Sequence, residues 1–194
     1  MARAPRILAF AGSLRKNSFN KKLVRIAAQG ATKAGAEVTV VDLADYPLPV
    51  FDEDLEADEG MPEKAAALKQ LFLSHDGLMI SSPEYNSSIS GALKNVIDWV
   101  SRSAPGEPAK AAFLGKAAVL MAASPGELGG LRGLVHLRSI LGNISVIVLP
   151  DQIAVPQAHK AFDEHDQLTD AKQQSRIEGL GATLTKTLVK LLAD

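Results

Sequence analysis

The chain has 194 residues, 46% of them hydrophobic, and 21 Lys and Arg against 22 Asp and Glu leave a formal net charge of -1. That length and composition suit one substantial core, while the balanced charge offers no basic footprint for nucleic acid and no acidic excess for docking a cationic partner. With no cysteine, thiol nucleophiles, thiolate metal sites and disulfides are excluded, and small-molecule chemistry is the class favoured.

The first predicted element is a buried strand at Ile7-Leu8-Ala9-Phe10. Its basic lead-in, Met1 to Arg6, imitates a signal peptide. The apolar run is very short, however, contains Gly12 and Ser13, and passes directly into Arg15-Lys16. No apolar run reaches the ~20 residues that cross a bilayer. A cytoplasmic protein without a membrane partner is expected.

Ala11 to Asn20 is a polar loop between this strand and an amphipathic helix from Lys21 to Ala34. In a parallel α/β protein such a loop lies at the carboxyl edge of the sheet, where helix amides and hydroxyls converge on an anion. Gly12 is expected to allow a tight turn, and Ser13, Arg15, Ser18 and Asn20 supply donors. The loop matches neither G-x-G-x-x-G nor G-x-x-x-x-G-K-[ST], and a solvated turn capped by Ser18 is the other reading. Arg15, Lys16, Lys21 and Lys22 are better explained by one phosphate than by a nucleic acid.

Glu37 to Leu43 reads as a second strand, completing a right-handed βαβ unit. Asp42 at its end is either an acid for ribose hydroxyls or a solvated carboxylate. Tyr46 to Phe51 is a proline-stiffened loop, and Asp52 to Glu59, six acids in eight residues, reads as a mobile surface segment. Pro62 to Leu73 is a helix with Pro62 in its first turn.

Asp76 to Ser82 is the third strand; Pro83 to Ser88 is its loop, and Ile89 to Ser101 the following helix. Lys116 to Ala123, the loop Ser124 to Gly130 and a helix from Leu131 to Leu141 repeat the pattern. A fifth strand, Ile144 to Leu149, a long irregular connection from Pro150 to Thr169 and a final helix from Asp170 to Leu192 complete it. These elements predict a single α/β domain over residues 1–194, a doubly wound five-stranded parallel sheet of order 2-1-3-4-5 with helices on both faces. The switch point then lies between strands one and three, beneath the first two loops.

Gly12-Ser13-x-Arg15-x-x-Ser18-x-Asn20, followed by Pro83-Glu84-Tyr85-Asn86-x-Ser88-Ile89-x-Gly91-x-Leu93-Lys94-Asn95-x-Ile97-Asp98-Trp99, resembles the NADPH-dependent FMN reductases of the flavodoxin-like superfamily, which include chromate-, quinone- and azo-reducing flavoproteins. Ala123-Ser124-Pro125-Gly126 and Gly129-Gly130-x-Arg132 extend the likeness over nearly the whole chain. The resemblance implies that Ser13, Arg15, Ser18 and Asn20 hold the FMN phosphate. It also implies that Pro83, Glu84, Tyr85 and Asn86 line the isoalloxazine ring largely through backbone groups, with Ser124 and Gly126 closing the other side. One departure is Ser90, where the family usually has proline; flavin binding is expected to survive it.

The resemblance further implies an FMN-dependent NAD(P)H oxidoreductase that passes hydride from NADPH or NADH through FMN to a small acceptor such as a quinone, free flavin, azo compound or chromate. No side chain need act as acid or base, since the cofactor supplies the chemistry. The alternative is a non-enzymatic flavodoxin-like electron carrier or flavin-binding regulator using the same pocket. Arg132 either meets the phosphates of the nicotinamide cofactor or forms a surface or subunit-interface ion pair. Tyr85, Asn86 and the Tyr46–Phe51 loop are expected to set acceptor preference. A homodimer or homotetramer is expected, with the Trp99 helix either a contact surface or, for Trp99, part of the core. His75, His136, His159 and His165 lack zincin spacing, and no metal site is expected. Neither Ser13 nor Ser124 lies in G-x-S-x-G.

Overall fold

The computed structural model describes residues 3–193. Met1 and Ala2 of the basic lead-in, and Asp194 at the end of the expected domain, lie outside the described residues. Five strands, β1 (Arg6–Ala11), β2 (Glu37–Val41), β3 (Gly77–Ser81), β4 (Ala117–Ala123) and β5 (Ile147–Val155), form one parallel sheet in the order β2-β1-β3-β4-β5. This is the expected flavodoxin-like order. Phe10 pairs with Val41 on one side and Ile80 on the other, so β1 and β3 finish together at the carboxyl edge of the sheet.

The central strands are apolar on both faces because both faces are covered. Ile7, Ala9, Ala11, Met79 and Val119 pack beneath α1 (Phe19–Lys33) and α7 (Ala171–Leu191). Leu8, Phe10, Leu78, Ile80 and Leu120 alternate with them and face α3 (Glu63–Ser74), α4 (Gly91–Val100) and α5 (Leu131–Asn143). Each fully buried large apolar side chain in these two clusters contributes about 1.5–3 kcal/mol. Phe72 bridges Phe10 and Phe113 with ring centroids 5.5 and 5.3 Å away. Trp99 is fully buried, donates from Nε1 to the Pro49 carbonyl at 2.9 Å and meets Phe51 edge-on, which settles it as core. Among the described residues, no helix is long and apolar enough to cross a membrane.

Two stretches differ from expectation. Asp52 to Glu59 lies at the surface as expected but is helical, forming the short helix α2 (Glu53–Glu59), with the Asp52 carboxylate accepting the Asp54 N–H and acids filling its first turn, where the helix dipole favours them. Arg102 holds it down through Glu56 at 2.7 Å and stacks over Phe51. The fifth strand begins at Ile147 rather than Ile144, because Ile144 ends α5 and Ser145 takes a left-handed turn at φ 72°. It then runs on to Val155 through a register shift opposite Ala118 and Leu120, and α6 (Ala158–Ala161) follows, so much of the expected irregular connection is ordered secondary structure. Pro150 is tolerated because β5 is an edge strand.

Candidate active site

The first loop delivers its donors as the chain order requires. Ser18 is the N-cap of α1, its hydroxyl oxygen accepting the Asn20 N–H at 3.2 Å, and the Ser13 hydroxyl oxygen accepts the Arg15 N–H at 3.4 Å. Both hydroxyls thereby orient the loop and keep an O–H to donate outward. The Arg15 guanidinium donates to the Asn17 carbonyl at 3.3 Å and lies 5.9 Å from the centre of the Phe19 ring, an aromatic floor the sequence reading did not single out. Phe19 in turn stacks on Phe162 at 5.9 Å.

Gly12 is required for a reason other than the expected tight turn. A Cβ there would come within 2.8 Å of Leu93 Cδ2, so the glycine permits close approach of β1 to α4. Asn20 also differs: its side chain is buried and already bonded. Nδ2 donates to the Ala123 carbonyl at 2.9 Å, while Oδ1 accepts from the Ala123 N–H at 2.9 Å and the Ser81 hydroxyl at 2.8 Å. Asn20 is a strut joining α1 to the ends of β3 and β4.

The neighbouring cations are not gathered on the loop. Lys21 is buried and pairs with Asp42 at 2.6 Å, and Lys22 pairs with Asp166 at 2.5 Å. Asp42 therefore fits neither reading given it from sequence, for it caps a 3-10 turn through the Ala44 N–H and neutralises Lys21.

The second loop turns sharply. Tyr85 and Ser88 exchange two backbone hydrogen bonds of 2.9 and 3.0 Å across Asn86 and Ser87, both with positive φ (50° and 66°), as in a two-residue hairpin. Asn86 accepts that conformation readily, whereas a serine is strained in it. The turn leaves Tyr85 half exposed.

Glu84 faces away from solvent and reaches α5, accepting from Arg132 Nε at 2.8 Å and the Gly133 N–H at 3.2 Å. Burial raises its carboxyl, but the Gly133 N–H and the Arg132 guanidinium outweigh burial and hold it below the ordinary carboxylate range. Glu84 thereby supplies the cap that Gly130, the N-cap of α5, lacks. Of the two readings of Arg132, the ion pair is the one present, and it lies within the chain.

Ser13, Arg15, Ser18, Phe19, Pro83, Glu84, Tyr85 and Ser124 line one cavity of ≈ 200 Å³. It opens past Tyr85 into a recess of ≈ 350 Å³ bordered by Leu14, Ser90 and Ala92. Asn20 lines the cavity as well, with its side chain committed as a strut. Asn86 and Gly126 are not among the lining residues: Asn86 occupies the turn, and the Gly126 N–H donates to the Ser124 hydroxyl oxygen at 3.3 Å. The Tyr46–Phe51 loop lies beyond Leu14. It is pinned to α4 by Asn95, which accepts the Phe51 N–H and donates to the Pro49 carbonyl, each at 2.8 Å.

Two buried hydroxyls, a guanidinium and the start of α1 meet in the cavity lining, and Glu84, the only carboxylate lining it among the described residues, is neutralised by Arg132. That donor set suits a phosphate, and the proline-shaped turn with Tyr85 suits a flat ring beside it.

Comparison with known proteins agrees. The model of the NADPH-dependent FMN reductase family matches residues 5–160. An NAD(P)H-dependent FMN reductase of Pseudomonas aeruginosa is 33% identical over 174 residues, 89% of each chain. A quinone reductase of Escherichia coli is 36% identical over 149 residues, 77% of this chain and 76% of the relative. The structure of a flavoenzyme NAD(P)H:(acceptor) oxidoreductase from Paracoccus denitrificans overlays with a TM-score of 0.79 at 28% identity, covering 96% of this chain and 98% of that one.

Proposed function

The chain belongs to the NADPH-dependent FMN reductase family and is an FMN-dependent NAD(P)H oxidoreductase, and from that premise we propose that Ser13, Arg15 and Ser18 hold the FMN phosphate while Pro83, Glu84 and Tyr85 border the ring. Bound FMN supplies the redox chemistry, taking hydride from NADPH or NADH and passing reducing equivalents to an acceptor. The single observation that carries the reading is the meeting of the Ser13, Arg15 and Ser18 donors with the Tyr85 turn in one cavity at the junction of β1 and β3.

Each residue then has a stated task. The Ser13 and Ser18 hydroxyls donate outward because their oxygens already accept loop amides. Arg15 neutralises charge from above the Phe19 ring. Asn20 acts through the loop as a positioning residue rather than as a phosphate donor. The Glu84 side chain is bonded to α5, and the N–H groups of Glu84 and Asn86 have no protein acceptor among the described residues. Ser124 closes the opposite wall, backed by Gly126.

The acceptor in this reading is a quinone. The half-exposed Tyr85 and exposed Leu14 give the mouth an apolar border that suits a flat, weakly polar molecule, and the Escherichia coli relative is named a quinone reductase. A single FMN-binding domain, assembly as a homodimer or homotetramer and a cytoplasmic location complete the proposal. The test is anaerobic stopped-flow absorbance of FMN-reconstituted protein mixed with NADPH or NADH and then with a quinone. Rapid bleaching and quinone-dependent recovery are expected. Bound FMN that stays oxidised with both donors would favour the carrier or regulator instead.

A further inference from the structure

Ser90 precedes α4 and makes two buried hydrogen bonds with one hydroxyl. It donates to the Gly12 carbonyl at 2.5 Å and accepts the Leu93 N–H at 3.1 Å, with only 6% of the residue exposed. Gly12 is thus fixed on three sides. Its N–H donates to the Ser81 carbonyl at 2.9 Å, its carbonyl is held by Ser90, and its Cα lies against Leu93. Ser90 also lines the recess that Ser13, Arg15 and Tyr85 border, so its bond to Gly12 lies at the wall of the site.

The consequence for an anion follows from peptide planarity. No peptide among the described residues is cis, so the Gly12 carbonyl and the Ser13 N–H lie in one plane and point in opposite directions within it. Holding the carbonyl against α4 removes an acceptor oxygen from the loop and fixes the Ser13 N–H on the other side. We propose that Ser90 is a positioning residue for phosphate binding, acting through the orientation of the Gly12–Ser13 peptide. The inference rests on the reading that the Ser13–Ser18 loop holds the FMN phosphate.

Proline separates this role from plain helix starting. Ser90 has φ -68°, within the range proline enforces, so Ser90→Pro keeps the backbone while removing both hydroxyl bonds. Ser90→Ala removes them without a ring, and Ser90→Thr keeps a hydroxyl. The experiment titrates apoprotein of each variant with FMN and with riboflavin, which lacks the phosphate, following flavin fluorescence, with thermal unfolding of the same samples confirming that each is folded.

Ser90→Ala and Ser90→Pro are expected to weaken FMN binding by roughly 5–30-fold, the scale of one charge-assisted hydrogen bond that a misdirected Ser13 N–H no longer makes to the phosphate, with riboflavin affinity moved by less than about twofold. Ser90→Thr is expected to retain wild-type preference for FMN over riboflavin. Equal losses for the two flavins would reduce Ser90 to a structural cap and overturn the inference, as would wild-type FMN affinity in both Ser90→Ala and Ser90→Pro. Wild-type protein that binds neither flavin would remove the underlying reading, and the inference with it.

Discussion

The two loops that frame the cavity are held by opposite means. Between Ala11 and Asn20 no residue has a positive φ, and both ends are fixed by buried side chains, Ser90 on Gly12 and Asn20 across to Ser81 and Ala123. Pro83 to Ser88 turns through two left-handed residues, leaves Tyr85 half exposed, and is steadied from outside by α5, through Glu84 and through His136 Nδ1, 2.9 Å from the Ser88 hydroxyl. A resident anion is bound best by donors ordered before it arrives, because little is then lost in ordering them. A face that must admit a nicotinamide donor and then an acceptor needs the accessible surface that the second loop offers.

The largest test of this contrast is Asn20→Ala. It deletes three buried hydrogen bonds and leaves the Ala123 N–H and carbonyl without partners, which is expected to cost roughly 3 kcal/mol of stability. Urea unfolding of the apoprotein measures it. A loss below about 1 kcal/mol would mean that the first loop is not held by this strut.

Arg15→Ala is the next step down. Arg15 is exposed and anchors no buried group, so the melting temperature is expected to stay put while FMN affinity falls by about tenfold, the effect of a charge-assisted hydrogen bond. Titration at low and high salt sharpens the result, because the wild-type advantage should shrink as salt screens the guanidinium. Unchanged FMN affinity would remove Arg15 from the site.

The comparison also separates what sequence could tell from what it could not. The central strands and α1 were legible because burial on both faces makes β1, β3 and β4 continuous apolar runs and gives α1 a helical stripe from Leu23 to Ala31. Helix α2 was not, since it buries no residue and so carries no apolar period; its readable signals were Asp52 as a cap and the acids behind it. The end of β5 was hidden by Pro150 and a register shift.

At the site, the donor types of the first loop were readable and their assignments were not. Whether Asn20 points at a ligand or at Ala123, whether Lys21 meets a phosphate or Asp42, and whether Arg132 meets a cofactor or Glu84 depend on residues 21 to 103 positions away. Ser90 stood out as a departure from a pattern, but its bond to Gly12 spans 78 positions.

Tyr85→Ala probes the exposed loop and should leave stability within about 0.5 kcal/mol of wild type, because half the side chain is already in solvent. Its expected effect is a several-fold fall in kcat/KM for quinones, on the order of 1 kcal/mol of lost aromatic contact. Steady-state kinetics over a series of acceptors checks it. Identical constants for every acceptor would leave Tyr85 as packing only.

The smallest expected effect, Glu84→Gln, asks whether α5 holds the second loop through charge. The carboxyl sits below its ordinary value of 4.5, since the Gly133 N–H and Arg132 favour the ionised form by more than burial opposes it. A group depressed in the folded state contributes its full stability above the unfolded value, and that contribution disappears as the pH falls through the folded value. Glu84→Gln keeps the shape but cannot ionise, so it should be less stable than wild type by roughly 0.5–1.5 kcal/mol at pH 7. Its deficit should narrow as the pH falls below 4.5, when the wild-type carboxylate also takes a proton. Urea midpoints of both proteins at pH 7, and at successively lower pH in the acid range, measure that narrowing. A deficit of constant size would show that neither the Gly133 N–H nor the Arg132 guanidinium favours the ionised carboxyl over the protonated one, and that charge does not hold the loop.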